Sequence, residues 1–239
     1  MAAFPALYPV TLVVDGRRCL VVGGGPVGAR KAAGLASCGA RVTVVAPDLD
    51  PTTVALADRL GPVPWGEVLL ERRRYRSGEA AGYRLVVSAT GIADVDGAVA
   101  ADAEAAGVWV NSADDAERCT FLLPSVHRDG SVSIAVSTGG ASPALATWLR
   151  RRVADDLGPG LGILAALLEE ARQRVHAEGH STEAIDWPAL LDGALPDLVR
   201  AGRLDEARSL LATATSPVPG PPEPGPPEPG PAGPGPYNL

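Results

Sequence analysis

The feature that most constrains the fold is a glycine-rich segment that follows a short apolar run. Residues Arg18–Val22 are typical of a buried β-strand and lead directly into Gly23-Gly-Gly-Pro-Val-Gly28. Alanine-rich, helix-forming sequence continues to Cys38, and Gly39 is a natural helix stop. A strand, a Gly-x-Gly-x-x-Gly turn and a helix in this order predict the first unit of a dinucleotide-binding fold.

The glycines of this turn have separate predicted roles. Gly23 permits a tight turn, and Gly25 lacks a side chain, so a pyrophosphate can approach the backbone. Gly28 lets the helix pack closely on the strand, and the helix N-terminus offers free N–H groups to the phosphates. The alternative is a glycine-rich turn that binds no ligand.

An acidic residue about 20 positions after the loop is expected to bind the adenosine ribose. Asp48 stands there, after the strand Arg41–Ala46 and Pro47, although an aspartate in an unliganded turn is the alternative. No arginine follows at once to receive a 2′-phosphate, so the pattern favours NAD over NADP. Thr90, after a third core strand, is expected to border the nicotinamide. The residues predicted to bind the cofactor are Gly23, Gly24, Gly25, Pro26, Val27, Gly28, Pro47, Asp48 and Thr90.

The rest of the chain predicts three further regions. The first half alternates β-branched runs with helical stretches, which predicts an α/β fold with a parallel sheet over residues 1–113. Polar and apolar residues alternate over Ser131–Ser137, as in a strand with one buried face, within a small α+β segment over 114–148. Ser142-Pro143 predicts the start of a helix that ends near Leu157, and a helical domain extends over 149–215. Residues 216–239 are rich in Pro and Gly and are expected to form a disordered tail.

Composition excludes several classes of function. The net charge is −7 and no face is broadly basic, which argues against nucleic-acid binding. The three cysteines are scattered, and Gly179 interrupts the helix that would bring His176 and His180 together, so we expect no metal site. The sequence has no membrane-helix or signal-peptide pattern, so we expect a cytoplasmic protein without membrane partners.

Several motifs together resemble one known family. They are Val21–Lys31, the run Asn111-Ser-Ala-Asp114 followed by Cys119-Thr-Phe121 and Pro124, and Ala135–Pro143 with Leu149-Arg150. In sequence, spacing and order they are similar to the precorrin-2 dehydrogenase, or siroheme synthase N-terminal, family. The resemblance implies an NAD-binding Rossmann domain, a small dimerisation domain, a helical C-terminal domain and a homodimer with interleaved middle segments.

The resemblance also implies a reaction, the NAD⁺-dependent oxidation of precorrin-2 to sirohydrochlorin on the way to siroheme or cobalamin. Some members also insert Fe²⁺ into sirohydrochlorin. The sequence leaves open the alternative that this chain is bifunctional and inserts Fe²⁺ or Co²⁺ as well. Longer relatives carry a uroporphyrinogen methyltransferase domain, for which this chain is too short, so methylation is expected from a separate protein. A non-catalytic NAD-binding regulatory protein is the alternative from another class.

Asp114 matches the family's catalytic aspartate, and its chemistry suits the reaction. Loss of a hydride leaves a cation, and a carboxylate can accept the proton that must then leave. In an extended segment neighbouring side chains point to opposite sides, so one of Asp114 and Asp115 is expected to face the cleft. The alternative is a solvated turn for both.

Candidate substrate contacts come from a second glycine turn and from cations near these motifs. Precorrin-2 is a polycarboxylate, and arginine suits carboxylate binding, although a solvated helix face is the alternative for each arginine. Lys31, the only lysine, points either to solvent or to the site. Where the family has acidic residues after a threonine, this chain has Thr90-Gly-Ile-Ala. The residues expected to contact substrate are Asn111, Arg118, Ser137, Thr138, Gly139 and Arg150.

Overall fold

A computed structural model describes residues 7–59 and 66–216. Its strands are β1 (Arg18–Val22), β2 (Arg41–Ala46), β3 (Glu67–Arg72), β4 (Leu85–Ser88), β5 (Trp109–Ser112), β6 (Ser125–Asp129) and β7 (Val132–Val136). Its helices are α1 (Pro26–Ala36), α2 (Pro51–Arg59), α3 (Ala93–Ala105), α4 (Pro143–Leu157), α5 (Leu161–Ala177), α6 (Trp187–Leu191), α7 (Leu195–Arg200) and α8 (Leu204–Ala214). Residues 217–239 of the predicted tail lie outside the described residues.

The first five strands form one parallel sheet in the order β3-β2-β1-β4-β5. Val22 lies opposite both Val45 and Ser88, and Ser88 lies opposite Ser112. The carboxyl ends of β1, β2, β4 and β5 are therefore level at one edge of the sheet. This arrangement confirms the predicted α/β, Rossmann-like fold, and ligands of such sheets bind at this edge.

Both faces of the sheet are buried, which explains the continuous apolar runs of its central strands. Val21, Val44 and Val87 share a buried cluster with Ala32 and Ala36 of α1. On the opposite face, the next residues along the strands join side chains of α3, in a cluster of Leu20, Val22, Val86, Val110, Val99 and Ala103. The alternation fixes which side chains of β5 face α1 and which face α3.

The described residues divide into two compact units. The first contains the residues up to Val126 together with Ala135–Arg152, and the second contains His127–Ile134 and the residues from Val153 onward. In the second unit, α5, α7 and α8 pack through Leu164, Leu167, Leu195, Ala207 and Leu211. The boundaries at residues 113 and 148 stay predictions.

The middle and end of the chain hold elements that the sequence patterns did not predict. Strand β6 pairs with β7 across a two-residue connection, so the pair is antiparallel. The helical sequence after Leu190 is divided, because Pro196 starts α7 and Gly202, at φ +71°, follows its end. Helix α4, in contrast, has the predicted bounds Pro143–Leu157.

Candidate active site

The glycine loop joins β1 to α1 at the carboxyl edge of the sheet, and three of its glycines are required by close packing. A Cβ on Gly24 would lie 2.3 Å from the carbonyl oxygen of Asp48. Gly23 has φ +125°, and a Cβ there would lie 2.2 Å from the carbonyl oxygen of Ala89. A Cβ on Gly28 would lie 2.1 Å from the carbonyl oxygen of Gly23. The loop therefore fits closely against the end of β4, and α1 fits closely against the loop.

Gly25 differs from these glycines because the space around it is open. No atom lies within 4 Å of a Cβ built on Gly25, among the part of the chain that the structure describes. Gly25 is the N-cap of α1 and makes no side-chain cap, while Pro26 occupies the first turn. The first helical hydrogen bond runs from the N–H of Ala29 to the carbonyl of Gly25, so the N–H groups of Val27 and Gly28 are free for an anion.

The loop is tied to the segment that follows β2. The carbonyl oxygen of Gly24 accepts hydrogen bonds from the Asp50 N–H at 2.9 Å and from the fully buried Thr53 hydroxyl at 2.7 Å. Asp50 also caps α2 by accepting from the Thr52 N–H and hydroxyl, and these bonds lower the pKa of Asp50. Asp48 is exposed, and no described residue donates to its carboxylate. Asp48 can therefore accept the hydroxyls of a ribose.

Thr90 lies directly after β4, where the loop toward α3 begins. Its N–H donates to Oδ1 of Asp96 at 3.2 Å, and its hydroxyl bonds with the backbone of Ile92. Asp96 is buried in the first turn of α3. This carboxylate, like Thr53, was missed by the sequence analysis, and it fixes the backbone of Thr90 at the start of the loop.

A cluster of polar side chains lies on the α1 face of β5. Asn111, only 5% exposed, donates from Nδ2 to the carbonyl of Phe121 at 3.1 Å and to Sγ of Cys119 at 3.4 Å. This orientation turns Oδ1 of Asn111 toward Lys31, whose Nζ lies 3.5 Å away. Asn111 is therefore placed to orient Lys31, and its predicted role as a direct substrate contact stays a prediction.

Cys119 connects this cluster to the end of β5. Its Sγ accepts from the Ser112 N–H at 3.2 Å, and its single S–H proton has the carbonyl oxygens of Ser112 and Asp115 as alternative acceptors. Burial raises the pKa of the Cys119 thiol above its usual value, so the group is a neutral thiol at neutral pH. The sequence analysis did not foresee this role, because a lone cysteine carries no local pattern.

The two neighbouring aspartates after β5 have different surroundings. Asp115 accepts from the Glu117 N–H at 3.0 Å and forms an ion pair with Nε of Arg118 at 3.0 Å. Arg118 also donates to the carbonyl of Ala93 at 2.8 Å, so this predicted substrate residue binds the start of α3. Asp114 is exposed, and its carboxylate has no hydrogen bond or ion pair with the described residues.

The second glycine turn, Ser137–Gly140, is closed by its own side chains. The Thr138 hydroxyl donates to the Ser142 carbonyl at 3.0 Å and accepts from the Ser142 N–H, and Ser137 accepts from the Gly139 N–H. Ser142 then caps α4 by accepting from the Leu145 N–H at 3.2 Å. Arg150, half-buried on α4, has no partner among the described residues. The substrate contacts predicted for Ser137, Thr138, Gly139 and Arg150 stay predictions.

Two cavities of the first unit lie away from the glycine loop. One of about 410 Å³ lies at the amino ends of β1, β4 and β5 and is lined by Leu12, Val14, Arg17, Arg84 and Trp109. The other, of about 290 Å³, lies between α3 and the segment Glu117–Thr120. The glycine loop instead lies on an open edge, as expected for a cofactor that spans several strands.

Residues 7–59 and 66–216 contain neither a metal-binding cluster nor a membrane-spanning helix. No group of three or more His, Cys, Asp or Glu side chains there could hold a metal ion. No helix in the same ranges combines the length and apolarity needed to cross a membrane.

The parallel sheet, the open Gly25 and the uncapped start of α1 define a dinucleotide-binding protein of the Rossmann class. Comparison with known proteins agrees. Residues 10–125 match a family model described as NAD(P)-binding, and residues 129–155 match the sirohaem biosynthesis protein central model. The N-terminal domain is an NAD-binding domain.

Whole-chain comparisons point the same way. The chain is 40% identical over 202 residues to the siroheme synthase of Chromobacterium violaceum and 36% identical over 208 residues to that of Methylococcus capsulatus. These alignments cover 84% and 86% of the chain but only 41% and 43% of the relatives, so the chain spans about two fifths of their length.

A solved structure supports the fold. The structure of SirC, a precorrin-2 dehydrogenase, superposes with a TM-score of 0.66 at 23% identity, covering 87% of this chain and 98% of that one. The resemblance to the precorrin-2 dehydrogenase and siroheme synthase N-terminal family, predicted from the sequence motifs, is confirmed by these comparisons.

Proposed function

We propose that the protein oxidises precorrin-2 to sirohydrochlorin. The substrate loses one hydride and one proton, and NAD⁺ takes the hydride to become NADH, so atoms and charge balance. Asp114 is the general base that receives the proton. The cofactor supplies only the hydride acceptor, and the chain supplies its binding site and the base.

The cofactor fits the residues that are present. The free N–H groups of Val27 and Gly28 suit a diphosphate, the open Gly25 allows it to approach, and the unpaired carboxylate of Asp48 suits a ribose. Thr90, held by Asp96, follows β4 at the same edge. We therefore expect the glycine loop, Asp48 and Thr90 to bind the dinucleotide together at this edge of the sheet.

The observation that carries the proposal is the contrast between Asp114 and Asp115. The Ala113 N–H donates to the Ser88 carbonyl at 2.9 Å, so Asp114 is the first residue beyond the paired backbone of β5. Its free carboxylate lies at the edge where the cofactor binds, whereas Asp115 is occupied by Glu117 and Arg118. An unpaired carboxylate keeps its lone pairs available for a substrate proton.

The test compares Asp114→Asn with Asp115→Asn, a matched substitution one residue away. We expect Asp114→Asn to lower the rate of NADH formation from precorrin-2 by about 100-fold or more, because a general base contributes about that much. NAD⁺ affinity, measured by calorimetry, should remain within about twofold of wild type, since the Rossmann surface is untouched.

Asp115→Asn should retain nearly all activity, because asparagine also caps a helical turn. Equal losses in the two variants would contradict the assignment of the base to Asp114. Unchanged turnover in Asp114→Asn would contradict it too. A wild-type protein that binds NAD⁺ and forms no NADH from precorrin-2 would favour the non-catalytic regulatory alternative.

Metal insertion into sirohydrochlorin is a second candidate activity, and it uses the same carboxylate. Asp114 could accept pyrrole N–H protons because its oxygens are exposed and unpaired. The optical spectrum of sirohydrochlorin with Fe²⁺ or Co²⁺ reports insertion. No acceleration over the uncatalysed rate would remove this activity, and loss of acceleration in Asp114→Asn would assign it to the same site.

The homodimer also stays a proposal. In the segment expected to mediate it, Leu123 is 49% exposed, Leu145 47% and Trp148 60%, and apolar side chains so exposed suit an interface. Light scattering distinguishes a dimer from a monomer. A cytoplasmic location and an upstream methyltransferase on a separate chain likewise stay predictions.

A further inference from the structure

Lys31 has an unusual position for a charged side chain. It lies on α1, six residues into the helix, and helical side chains lean toward the helix N-terminus. Its Nζ reaches Oδ1 of Asn111, the residue before the last one of β5. The ammonium group therefore lies on the strand that leads to Asp114, near the carboxyl edge of the sheet.

The charge on Lys31 lacks an anionic partner. The side chain is half-buried, its one hydrogen bond among the described residues is the 3.5 Å contact to Asn111, and no carboxylate of those residues lies within 4.0 Å. Burial, and then the neighbouring charge of Arg30, lower the pKa of Lys31. The nearby thiol of Cys119 is neutral, because burial raises its pKa. A partly buried cation without a counter-ion is costly unless a ligand supplies one.

The choice of lysine at this position is also informative. Lys31 is the only lysine among 21 Lys and Arg residues. Arginine carries a wide, planar group with five donors, whereas lysine ends in a compact ammonium on a flexible stem. The half-buried space beside Asn111 and Cys119 suits the smaller group. All the remaining Lys or Arg positions of the chain are arginine. The one lysine ammonium group lies beside this cluster.

We propose that Lys31 binds a carboxylate of the tetrapyrrole substrate and so positions the ring next to Asp114. The inference rests on the proposed function, since precorrin-2 is the polycarboxylate in question. An anionic oxygen could also come from the cofactor diphosphate, but the free N–H groups of α1 already serve that group. Nζ contacts β5, which is separated from β1 and the glycine loop by β4, a distance of roughly 10 Å at ordinary strand spacing.

The single lysine allows a direct test in the complete protein. Reductive methylation with ¹³C-formaldehyde keeps the positive charge and labels only Lys31 and the terminal α-amine. Lys31→Met lacks the lysine signal and so assigns it. We expect uroporphyrin, an available polycarboxylate tetrapyrrole, to shift the Lys31 methyl signal, while NAD⁺ and ADP-ribose leave it unchanged.

Kinetics provide an independent measurement. Lys31→Met should raise the KM for precorrin-2 by about tenfold and leave kcat within about twofold, because a binding contact is lost while the base remains. Arg30→Met is the matched control, since it removes the exposed neighbouring cation from the same helix. That control should leave KM within about twofold of wild type, whereas a general effect of net charge would raise KM equally in both variants.

The outcomes separate this inference from the proposed function. A Lys31 signal that moves with ADP-ribose would assign the anion to the diphosphate and overturn the inference. The inference would also be overturned if uroporphyrin bound, as followed by its own absorbance, without shifting the Lys31 methyl signal. Failure of the wild-type protein to form NADH from precorrin-2 would overturn the function instead, and that result is read in a different assay.

Discussion

Two turns of this protein share one local pattern and differ in what they leave free. Gly23–Gly28 and Ser137–Ser142 each connect a strand to a helix that has proline in its first turn. At α1 the cap residue is Gly25, which has no side chain, and the first N–H groups are unpaired. At α4 the cap is Ser142, whose hydroxyl accepts from Leu145, and Thr138 bonds with the cap backbone.

The difference shows that glycine content alone does not make an anion site. A helix start attracts phosphate because its N–H groups lack partners, and a side-chain cap removes that property while stabilising the helix. The α1 turn has no side-chain cap and leaves its N–H donors free. The α4 turn has a side-chain cap, which occupies one of its N–H donors. Five substitutions in the two turns test this interpretation.

The largest effect is expected at Gly23. Gly23→Ala places a Cβ 2.2 Å from the Ala89 carbonyl at a φ of +125°, so the end of β4 or the loop must move. We expect a loss of about 3 kcal/mol in the free energy of unfolding, and loss of detectable NAD⁺ binding. Chemical denaturation and calorimetry measure the two effects.

Gly139→Ala is the counterpart in the second turn. Gly139 has φ +62°, but no described atom lies within 4 Å of an added Cβ. The expected cost is about 1 kcal/mol, from backbone strain alone. NAD⁺ affinity should not change, and a loss of affinity equal to that of Gly23→Ala would end the distinction between the turns.

An effect mainly on cofactor binding is expected from Gly25→Asp, which gives α1 the side-chain cap that it lacks. The backbone at Gly25 (φ −83°) accepts any residue, and the surrounding space is open. The carboxylate should stabilise the protein without ligand by about 0.5 kcal/mol and weaken NAD⁺ binding about 100-fold or more.

Gly25→Asn separates the two causes, since asparagine caps the helix without adding charge. We expect it to weaken NAD⁺ binding by about tenfold, less than aspartate does. Thermal unfolding without cofactor and calorimetry with it give both quantities. An aspartate variant that keeps wild-type affinity would mean that the diphosphate does not bind at this helix start.

Ser142→Ala is expected to affect stability and to leave cofactor binding unchanged. It removes the α4 cap and should lower the free energy of unfolding by about 1 kcal/mol, measured by denaturation. NAD⁺ affinity should be unchanged, because the bonds of Ser142 lie within its own turn and helix. Weaker NAD⁺ binding would instead make the second turn part of the cofactor site.

Much of this architecture follows from local sequence patterns. Apolar runs such as Arg41–Ala46 predicted the buried parallel strands, and Ser142-Pro143 predicted where α4 begins. The glycine spacing predicted the loop, because Gly23 and Gly28 meet steric requirements of the loop itself, while Gly25 leaves the start of α1 open. These signals are short-range, so they can be read without knowing the rest of the fold.

The remaining features depend on residues far apart in the chain. Nothing near Lys31 in the sequence indicates that its ammonium meets Asn111, and nothing near Thr53 indicates a bond to Gly24. The partners of Asp115 were not predicted either, although its bonds to Glu117 and Arg118 are local, and the assignment of the base to Asp114 stays a prediction. Strand β6 was missed because its pairing with β7, rather than its own composition, defines it.

The two hydrogen bonds that the Gly24 carbonyl oxygen accepts have a consequence for the rate of cofactor exchange. Asp50 and Thr53 hold the glycine loop in place before any dinucleotide arrives, so this loop need not reorganise when the cofactor binds. The entropy cost of ordering the loop is then met during folding. The association rate of the cofactor is therefore governed by diffusion and charge rather than by a slow rearrangement of the loop. Substitutions around this loop should therefore change mainly the residence time of the bound dinucleotide.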